Sequence, residues 1–154
     1  MNDSTKVWVY QSSREFTDEE IDELSISLKN FVSGWQAHGA ALSANFELLE
    51  RRFIVFFVNE HAAAASGCSI DSSVGVIRSV EKKYNVNMTD KGQVAFRHED
   101  KIKVIPLSKI KTTIESGDIS KKTIIFNNSV ATLKEFKHNW QIEAEASWMK
   151  RYFN

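Results

Sequence analysis

The chain lacks both a set of cysteines and a long apolar run. Its 154 residues include one cysteine, which excludes an intramolecular disulfide and a multi-cysteine zinc site. The longest apolar run, Phe53 to Val58, is far shorter than the ~20 residues of a membrane-spanning helix. The first six residues lack the basic and apolar regions of a signal peptide. We therefore expect a cytoplasmic protein with no membrane partner.

The chain also lacks net charge, because 20 Lys and Arg are balanced by 20 Asp and Glu. Nucleic acid is therefore not an expected partner, since no overall attraction to phosphate exists. The charge is unevenly placed, however. Residues 101–154 carry ten basic and five acidic side chains, and residues 1–100 carry ten basic and fifteen acidic ones. A solvated surface is the commoner explanation of such a split, and self-association or a charged partner is the alternative.

The length and the apolar share of 42% are those of one soluble domain, which we expect to span residues 1–154. Thr17 and Glu20 have the spacing of a capping box at the start of a first helix, and Gly34 marks its end. Its apolar face repeats every three or four residues: Ile21, Leu24, Leu28, Phe31, Val32 and Trp35. A second helix is expected to begin near Ser69 or Asp71.

Strand patterns surround these helices. Val7–Tyr10 is short and rich in β-branched and aromatic residues, and Leu42–Leu48 alternates between apolar and polar side chains. Phe53–Val58 predicts a central strand buried on both faces. Val94 and Phe96 predict a fourth strand, with a solvated hairpin tip at Glu99-Asp100.

The first hundred residues therefore predict the order β-α-β-β-α-β. This order is typical of a ferredoxin-like α+β fold, an antiparallel sheet with helices on one face. The remaining residues predict a C-terminal α/β extension, with a strand at Thr123–Phe126 and two further helices. A different α+β sheet is the alternative.

The most distinctive segment is the turn from Ser66 to Ser73, which contains Cys68. A thiol at a helix N-terminus has a lowered pKa and is a better nucleophile. The nearest candidate bases in the sequence are His38 and His61, which makes Cys68, His38 and His61 the candidate catalytic residues. Asp71 opposes this chemistry, because a neighbouring carboxylate raises the pKa of a thiol.

The same turn also suits two simpler roles. Its backbone and side chains could bind a small anionic ligand, through Ser66, Gly67, Ser69, Asp71 and Ser72. Alternatively, Ser69 or Asp71 caps the helix and Cys68 packs as a small apolar residue. We expect no metal site and no cofactor, since His98 and His138 have no metal-ligand spacing with another His or Cys.

The chain resembles a family of small bacterial proteins often labelled "ABC transporter ATPase". The resemblance spans nearly the whole chain and lies in Val7-Trp8-Val9-Tyr10-Gln11, Phe16-Thr17, Trp35-x-Ala37-His38-Gly39, Gly67-Cys68-Ser69-Ile70-Asp71-Ser72-Ser73-Val74, Glu81-Lys82-Lys83-Tyr84 and Ser147-Trp148. It implies a shared fold and no activity assignable to a residue. The label disagrees with the chemistry, because a P-loop needs a lysine and a hydroxyl after its second glycine. Here Gly39 is followed by Ala40 and Ala41.

Two functional hypotheses remain. The first is a non-catalytic binding or assembly module, a homo-oligomer formed through the sheet face or the aromatic C-terminal tail, Ser147–Phe153. The tail combines three aromatic and two basic side chains, and we expect it to dock on the core or on a second subunit. The second is a small cysteine-dependent enzyme or redox-responsive protein that uses Cys68. We prefer the module because no complete catalytic constellation is present.

Overall fold

A computed structural model describes residues 2–37, 40–41, 43–59 and 67–154. In these residues the chain forms four α-helices and antiparallel sheets, which confirms the α+β class. The chain divides into two compact units: Met1–Thr89 with Val130–Phe136, and Asp90–Ser129 with Lys137–Asn154. The expectation of a single domain over residues 1–154 stays a prediction.

The elements follow one another along the chain with short connections. The first part contains β1 (Lys6–Gln11), α1 (Asp18–Gly34), the short paired strands β2 (Gln36–Ala37) and β3 (Ala40–Ala41), β4 (Ser43–Leu49), β5 (Phe53–Asn59) and α2 (Gly67–Tyr84). The later part contains β6 (Gln93–His98), β7 (Lys101–Pro106), α3 (Ile110–Glu115), β8 (Ile124–Phe126), α4 (Leu133–Asn139) and β9 (Gln141–Glu143). Short 3₁₀ helices occupy Leu107–Lys109, Ala144–Ala146 and Trp148–Tyr152.

Helix α1 begins at the predicted capping box. The Thr17 hydroxyl accepts a hydrogen bond from the Glu20 N–H (3.2 Å), and the Glu20 carboxylate accepts one from the Thr17 N–H (2.9 Å). These bonds satisfy two backbone donors that a helix start otherwise leaves unpaired. The helix ends at Gly34, as predicted, and buries Leu24, Leu28 and Val32.

Strand β5 lies at the centre of a three-stranded antiparallel sheet ordered β1-β5-β4. Every residue from Phe53 to Val58 is buried, as the unbroken apolar run predicts. Ile54, Phe56 and Val58 belong to the same core as the inner faces of α1 and α2, which places both helices on one face of this sheet. The core also takes in Phe16, Leu24, Leu28, Val32, Trp35, Ile77, Val80, Tyr84, Val86 and Met88.

The ferredoxin-like strand order is not confirmed. Strand β6, the expected fourth strand of the first sheet, pairs with β7 and β8 in a second sheet ordered β7-β6-β8-β9. This sheet has its own core, formed by Val94, Phe96, Ile110, Ile119, Ile125, Ala144 and Met149. Periodicity identifies each strand but does not select its partner, because pairing depends on contacts that are distant in sequence.

The first unit includes a segment from late in the chain. Val7 N–H donates to the Ala131 carbonyl (3.0 Å), and Leu133 N–H donates to the Thr5 carbonyl (2.8 Å). An isolated antiparallel bridge joins Lys6 and Thr132 between these bonds. The residues before α4 therefore cover part of the outer edge of β1.

The β6–β7 hairpin turns through two residues with left-handed backbone geometry. Glu99 and Asp100 have φ angles of 50° and 63°, and His98 pairs with Lys101 across the turn. Two successive positive φ angles are the signature of a type I′ turn, which matches the twist of the flanking strands. The expected hairpin tip is confirmed, but its side chains are not those that this geometry favours, since Asn and Gly are preferred there.

We predict that Asp100→Gly raises the free energy of unfolding by about 0.5–1 kcal/mol, because glycine adopts a positive φ without the steric penalty. Chemical denaturation of the wild type and the variant measures the difference. Lys101→Gly is the matched control, since it introduces the same flexibility in the adjoining strand and should destabilise. A loss of stability in both variants would contradict the interpretation of the turn.

Candidate functional site

The cysteine turn begins α2 earlier than expected. The helix starts at Gly67, two residues before Ser69, so that Cys68 is its second residue and Asp71 its fifth. The N–H groups that a helix start leaves unpaired therefore belong to the first turn, Gly67–Ile70, rather than to a turn beginning at Asp71. A cap at Ser69 or Asp71 is not the observed arrangement.

The structure locates only some of the candidate residues of this turn. Asp71 and Ser72 are exposed on α2. His38, His61 and Ser66 lie outside the described residues. Gly67, Cys68 and Ser69 are described by their helical backbone alone. The catalytic set of Cys68, His38 and His61 and the anion-binding role of the turn therefore stay predictions.

A second polar region, which sequence reasoning missed, lies at one end of the first unit. Here the loop after β1 meets the turn before β5 and the residues that follow α2. Ser12 N–H donates to the Arg52 carbonyl (2.8 Å), and Ser13 N–H donates to the Asn87 carbonyl (2.9 Å). The region contains Arg14, Arg51 and Arg52, which we call the arginine cluster.

Arg14 joins the β1–α1 loop to both helices. Its guanidinium forms two parallel bonds with Glu20 (2.8 and 2.9 Å), and Nη2 also donates to the Tyr84 carbonyl (2.7 Å). The bond from Arg14 and the bond from Thr17 N–H lower the pKa of Glu20 to about 2. Burial and the hydrogen bond to Glu23 raise the pKa of Tyr84 to about 12. These ionisable groups therefore hold elements together and do not titrate near neutral pH.

The charge of Arg51 is compensated by an ion pair at the surface. Its guanidinium lies 2.7 Å from Asp18, with both side chains exposed to solvent. Nη2 also donates to the Phe16 carbonyl (3.2 Å), and Phe16 N–H donates to the Arg51 carbonyl (2.7 Å). The pair contributes little energy by itself, since surface ion pairs are screened by water.

Arg52 differs from its two neighbours, because it is buried and has no ion pair. Only 8% of the residue is exposed, and no carboxylate of the described residues lies within 4 Å of its guanidinium. Nη1 makes a long hydrogen bond to the Ser12 carbonyl (3.4 Å), and Nε has no partner. Burial lowers the pKa of Arg52, an effect that the charge of Glu15 partly opposes. In the sequence, Arg52 is distinguished only by its position directly before the apolar run Phe53–Val58.

The C-terminal tail forms a third candidate surface in the second unit. Met149 is fully buried, and Tyr152 and Phe153 pack against the core, which confirms that the tail docks there. Trp148 remains 39% exposed and meets the Tyr152 ring edge-on, with 6.3 Å between the ring centroids. The Arg151 guanidinium lies 5.1 Å from the Tyr152 ring. We call Trp148, Arg151 and Tyr152 the C-terminal platform.

Two kinds of element are absent from the described ranges. Within them, no helix has the length and apolar character needed to cross a membrane. Nor do these ranges bring together three or more His, Cys, Asp or Glu side chains that could hold a metal ion.

Comparisons with models of protein families, with curated proteins and with solved structures find no match. The resemblance to the family labelled "ABC transporter ATPase" therefore stays a prediction.

We predict that Glu20→Gln lowers the free energy of unfolding by about 1–2 kcal/mol at pH 7, because it removes an ionic helix cap. A lowered pKa stabilises the folded state above the unfolded value of 4.5, and this contribution is lost as the pH falls through about 2. The difference between variant and wild type should therefore shrink across this range in denaturation measured against pH.

Glu19→Gln is the matched control, because Glu19 lies in the same helical turn and has no hydrogen bond or ion pair with the described residues. We expect it to change stability by less than about 0.5 kcal/mol. Equal effects of the two substitutions, or a Glu20→Gln effect that does not vary with pH, would refute the role assigned to Glu20.

Proposed function

We propose that this chain is a non-catalytic assembly module that binds a second copy of itself through the C-terminal platform. The observation that carries the proposal is the exposed Trp148, with Arg151 and Tyr152 beside it. Tryptophan, tyrosine and arginine are the residues that most often dominate the energy of protein interfaces. A location in the cytoplasm is part of the proposal, since a reducing compartment suits a chain with one cysteine.

The anchoring of the platform supports this role. The Ser147 hydroxyl accepts a hydrogen bond from Met149 N–H (3.0 Å) at the start of the last 3₁₀ helix. Met149 is fully buried and Phe153 packs on the core, so that both ends of the helix are tied down. A rigid surface loses little conformational entropy on binding, which favours association.

The surface that we propose as its partner is the outer face of α1 on the second copy. Ile26 is 67% exposed there, and Glu19 and Asp22 lie on the same helical face, seven and four residues before it. Both carboxylates are exposed and without an ion pair among the described residues. This face, which we call the acidic face, offers an apolar side chain and negative charge to Trp148 and Arg151.

The charge of the two units agrees with such a contact. The first unit contains nine Lys or Arg and thirteen Asp or Glu, whereas the second contains eleven and seven. Opposite charges accelerate association and select the partner surface more than they add affinity. We propose that two copies exchange this contact reciprocally, since a reciprocal contact forms a closed dimer rather than an open filament. A contact between these two surfaces does not depend on a ferredoxin-like strand order.

We predict that the wild type dimerises reversibly, and that Arg151→Glu and Asp22→Lys each weaken dimerisation about tenfold through like-charge repulsion. The double variant should recover most of the lost affinity, because it restores the opposite charges. Sedimentation equilibrium at low and high salt measures the constants, and salt should weaken the wild-type dimer.

Lys91→Glu is the control, since Lys91 is an exposed cation of the second unit outside the platform. It should leave the dimer unchanged. A monomeric wild type, or an Arg151→Glu variant that behaves like the control, would disprove the platform. Failure of the double variant to recover would disprove the choice of the acidic face.

A cysteine-dependent activity is the second candidate, favoured by the start of α2 at Gly67. Cys68 is the second residue of this 18-residue helix, and reactive cysteines in proteins often lie at helix N-termini. Lys82 and Lys83 at the other end of α2 complement the helix dipole. The thiol would act as a nucleophile or a redox sensor.

For the assembly module we expect Cys68 to react with iodoacetamide no faster in the folded protein than in denaturant at pH 7. The rate is measured against pH in both states, and Cys68→Ser provides the blank. Faster reaction when folded, with a midpoint well below roughly 8.5, would favour the enzyme instead. His38→Ala and His61→Ala would then test the candidate bases.

A further inference from the structure

Arg52 is a buried cation that the assembly proposal does not use. It lies between the turn after β4 and the first residue of β5, and Phe53 beside it is fully buried. Isolation of a charge from water is unfavourable unless an opposite charge or a set of hydrogen bonds compensates. Arg52 cannot escape the penalty by losing its proton, since guanidinium stays charged in proteins.

The hydrogen bonds of Arg52 are incomplete. Nη1 reaches the Ser12 carbonyl only at 3.4 Å, and the Nε hydrogen, which is buried, has no acceptor. Arg14 and Arg51 show the contrast, because each has a carboxylate oxygen within 2.8 Å. Arg52 alone in the arginine cluster lacks an anion among the described residues.

Ser12 is a second buried donor at the same place. The residue has no exposed surface, and its hydroxyl accepts a long hydrogen bond from Arg14 N–H (3.4 Å). The described residues provide no acceptor for the hydroxyl hydrogen. The Ser12 backbone is joined to Arg52 in both directions, since its N–H donates to the Arg52 carbonyl and its carbonyl accepts from Nη1.

We propose that Arg52 and Ser12 bind a small oxyanion, of the phosphate or carboxylate class. A guanidinium edge presents parallel N–H donors that match two oxygens of such an anion, and a hydroxyl can donate to a third position. The anion would supply the charge and the acceptors that these two side chains lack. Arg52 keeps 8% of its surface exposed, so that the residue lies at the edge of the buried region.

Glu15 is the carboxylate that competes with an external anion for Arg52. Its charge acts on Arg52, but its carboxylate is not within 4 Å of the guanidinium. A bound oxyanion would be repelled by Glu15, so that removal of this charge should tighten binding. If Glu15 itself were the permanent partner of Arg52, its removal would leave the cation uncompensated and would not create affinity for anions.

The test is the affinity of the purified protein for inorganic phosphate and for acetate, measured by calorimetry and by thermal unfolding. Sodium chloride at the same ionic strength controls for general salt effects. We expect one or both anions to raise the unfolding temperature of the wild type, as a ligand of the folded state does. Preference for phosphate or for acetate identifies the class of oxyanion.

Arg52→Gln should weaken binding about tenfold or more, since charged hydrogen bonds to an anion are lost. Arg78→Gln is the matched control, because Arg78 is an exposed arginine of α2 in the same unit, and it should bind as the wild type does. Glu15→Gln should tighten binding, and Ser12→Ala, a milder change, should weaken it if Arg52→Gln does not fold.

Three results would overturn the proposal. The first is stabilisation by phosphate or acetate no greater than that by chloride. The second is equal binding by Arg52→Gln and Arg78→Gln. The third is a Glu15→Gln variant that loses stability and gains no anion affinity, which would make Glu15 the partner of Arg52.

Discussion

Burial of β5 on both faces is the constraint on which the first unit depends. Five of the six residues from Phe53 to Val58 have no exposed surface, and Phe57 retains 6%. A strand in this position needs hydrogen-bonding partners on both edges and apolar layers on both faces. Strands β1 and β4 supply the edges, and α1 and α2 cover the face of Ile54, Phe56 and Val58. On the other face, Phe57 meets the Phe136 ring of α4 edge-on.

The chemistry of the arginine cluster follows from this constraint. Arg52 precedes β5 directly, and its carbonyl accepts the hydrogen bond of Ser12 at the end of β1. The strand therefore carries a cation into a buried position, whereas Arg14 and Arg51 reach carboxylates near the surface. Arg14 ties the β1–α1 loop to both helices and Arg51 pairs with Asp18, whereas the buried Nε of Arg52 has no hydrogen-bond partner among the described residues.

Glu20 and Tyr84 are unsuited to proton transfer near neutral pH. Glu20 and Tyr84 are held at pKa values of about 2 and about 12, far from neutrality. An acid–base catalyst needs a pKa near the working pH, and an arginine does not titrate there. The exposed Trp148 and the buried Arg52 are instead permanent features, one apolar and one cationic, whose character does not change with pH.

Local patterns in the sequence were sufficient for several elements. The capping box at Thr17 and Glu20 located the start of α1, and the unbroken apolar run located the central strand. Both signals are local: a helix start must satisfy its own N–H groups, and a strand buried on two faces cannot alternate. The turn at Glu99-Asp100 was identifiable for the same reason, although its left-handed geometry was not.

Tertiary structure alone decided which strands pair and which charges remain uncompensated. Strand β6 has the pattern of a fourth strand in either sheet, and its pairing with β8 depends on residues about 30 positions away in sequence. The bond between Ser12 and Arg52 spans 40 residues, and no periodicity encodes it. Apolar periodicity predicts which side chains are buried. The partner that compensates a buried charge depends instead on how segments distant in sequence meet in space.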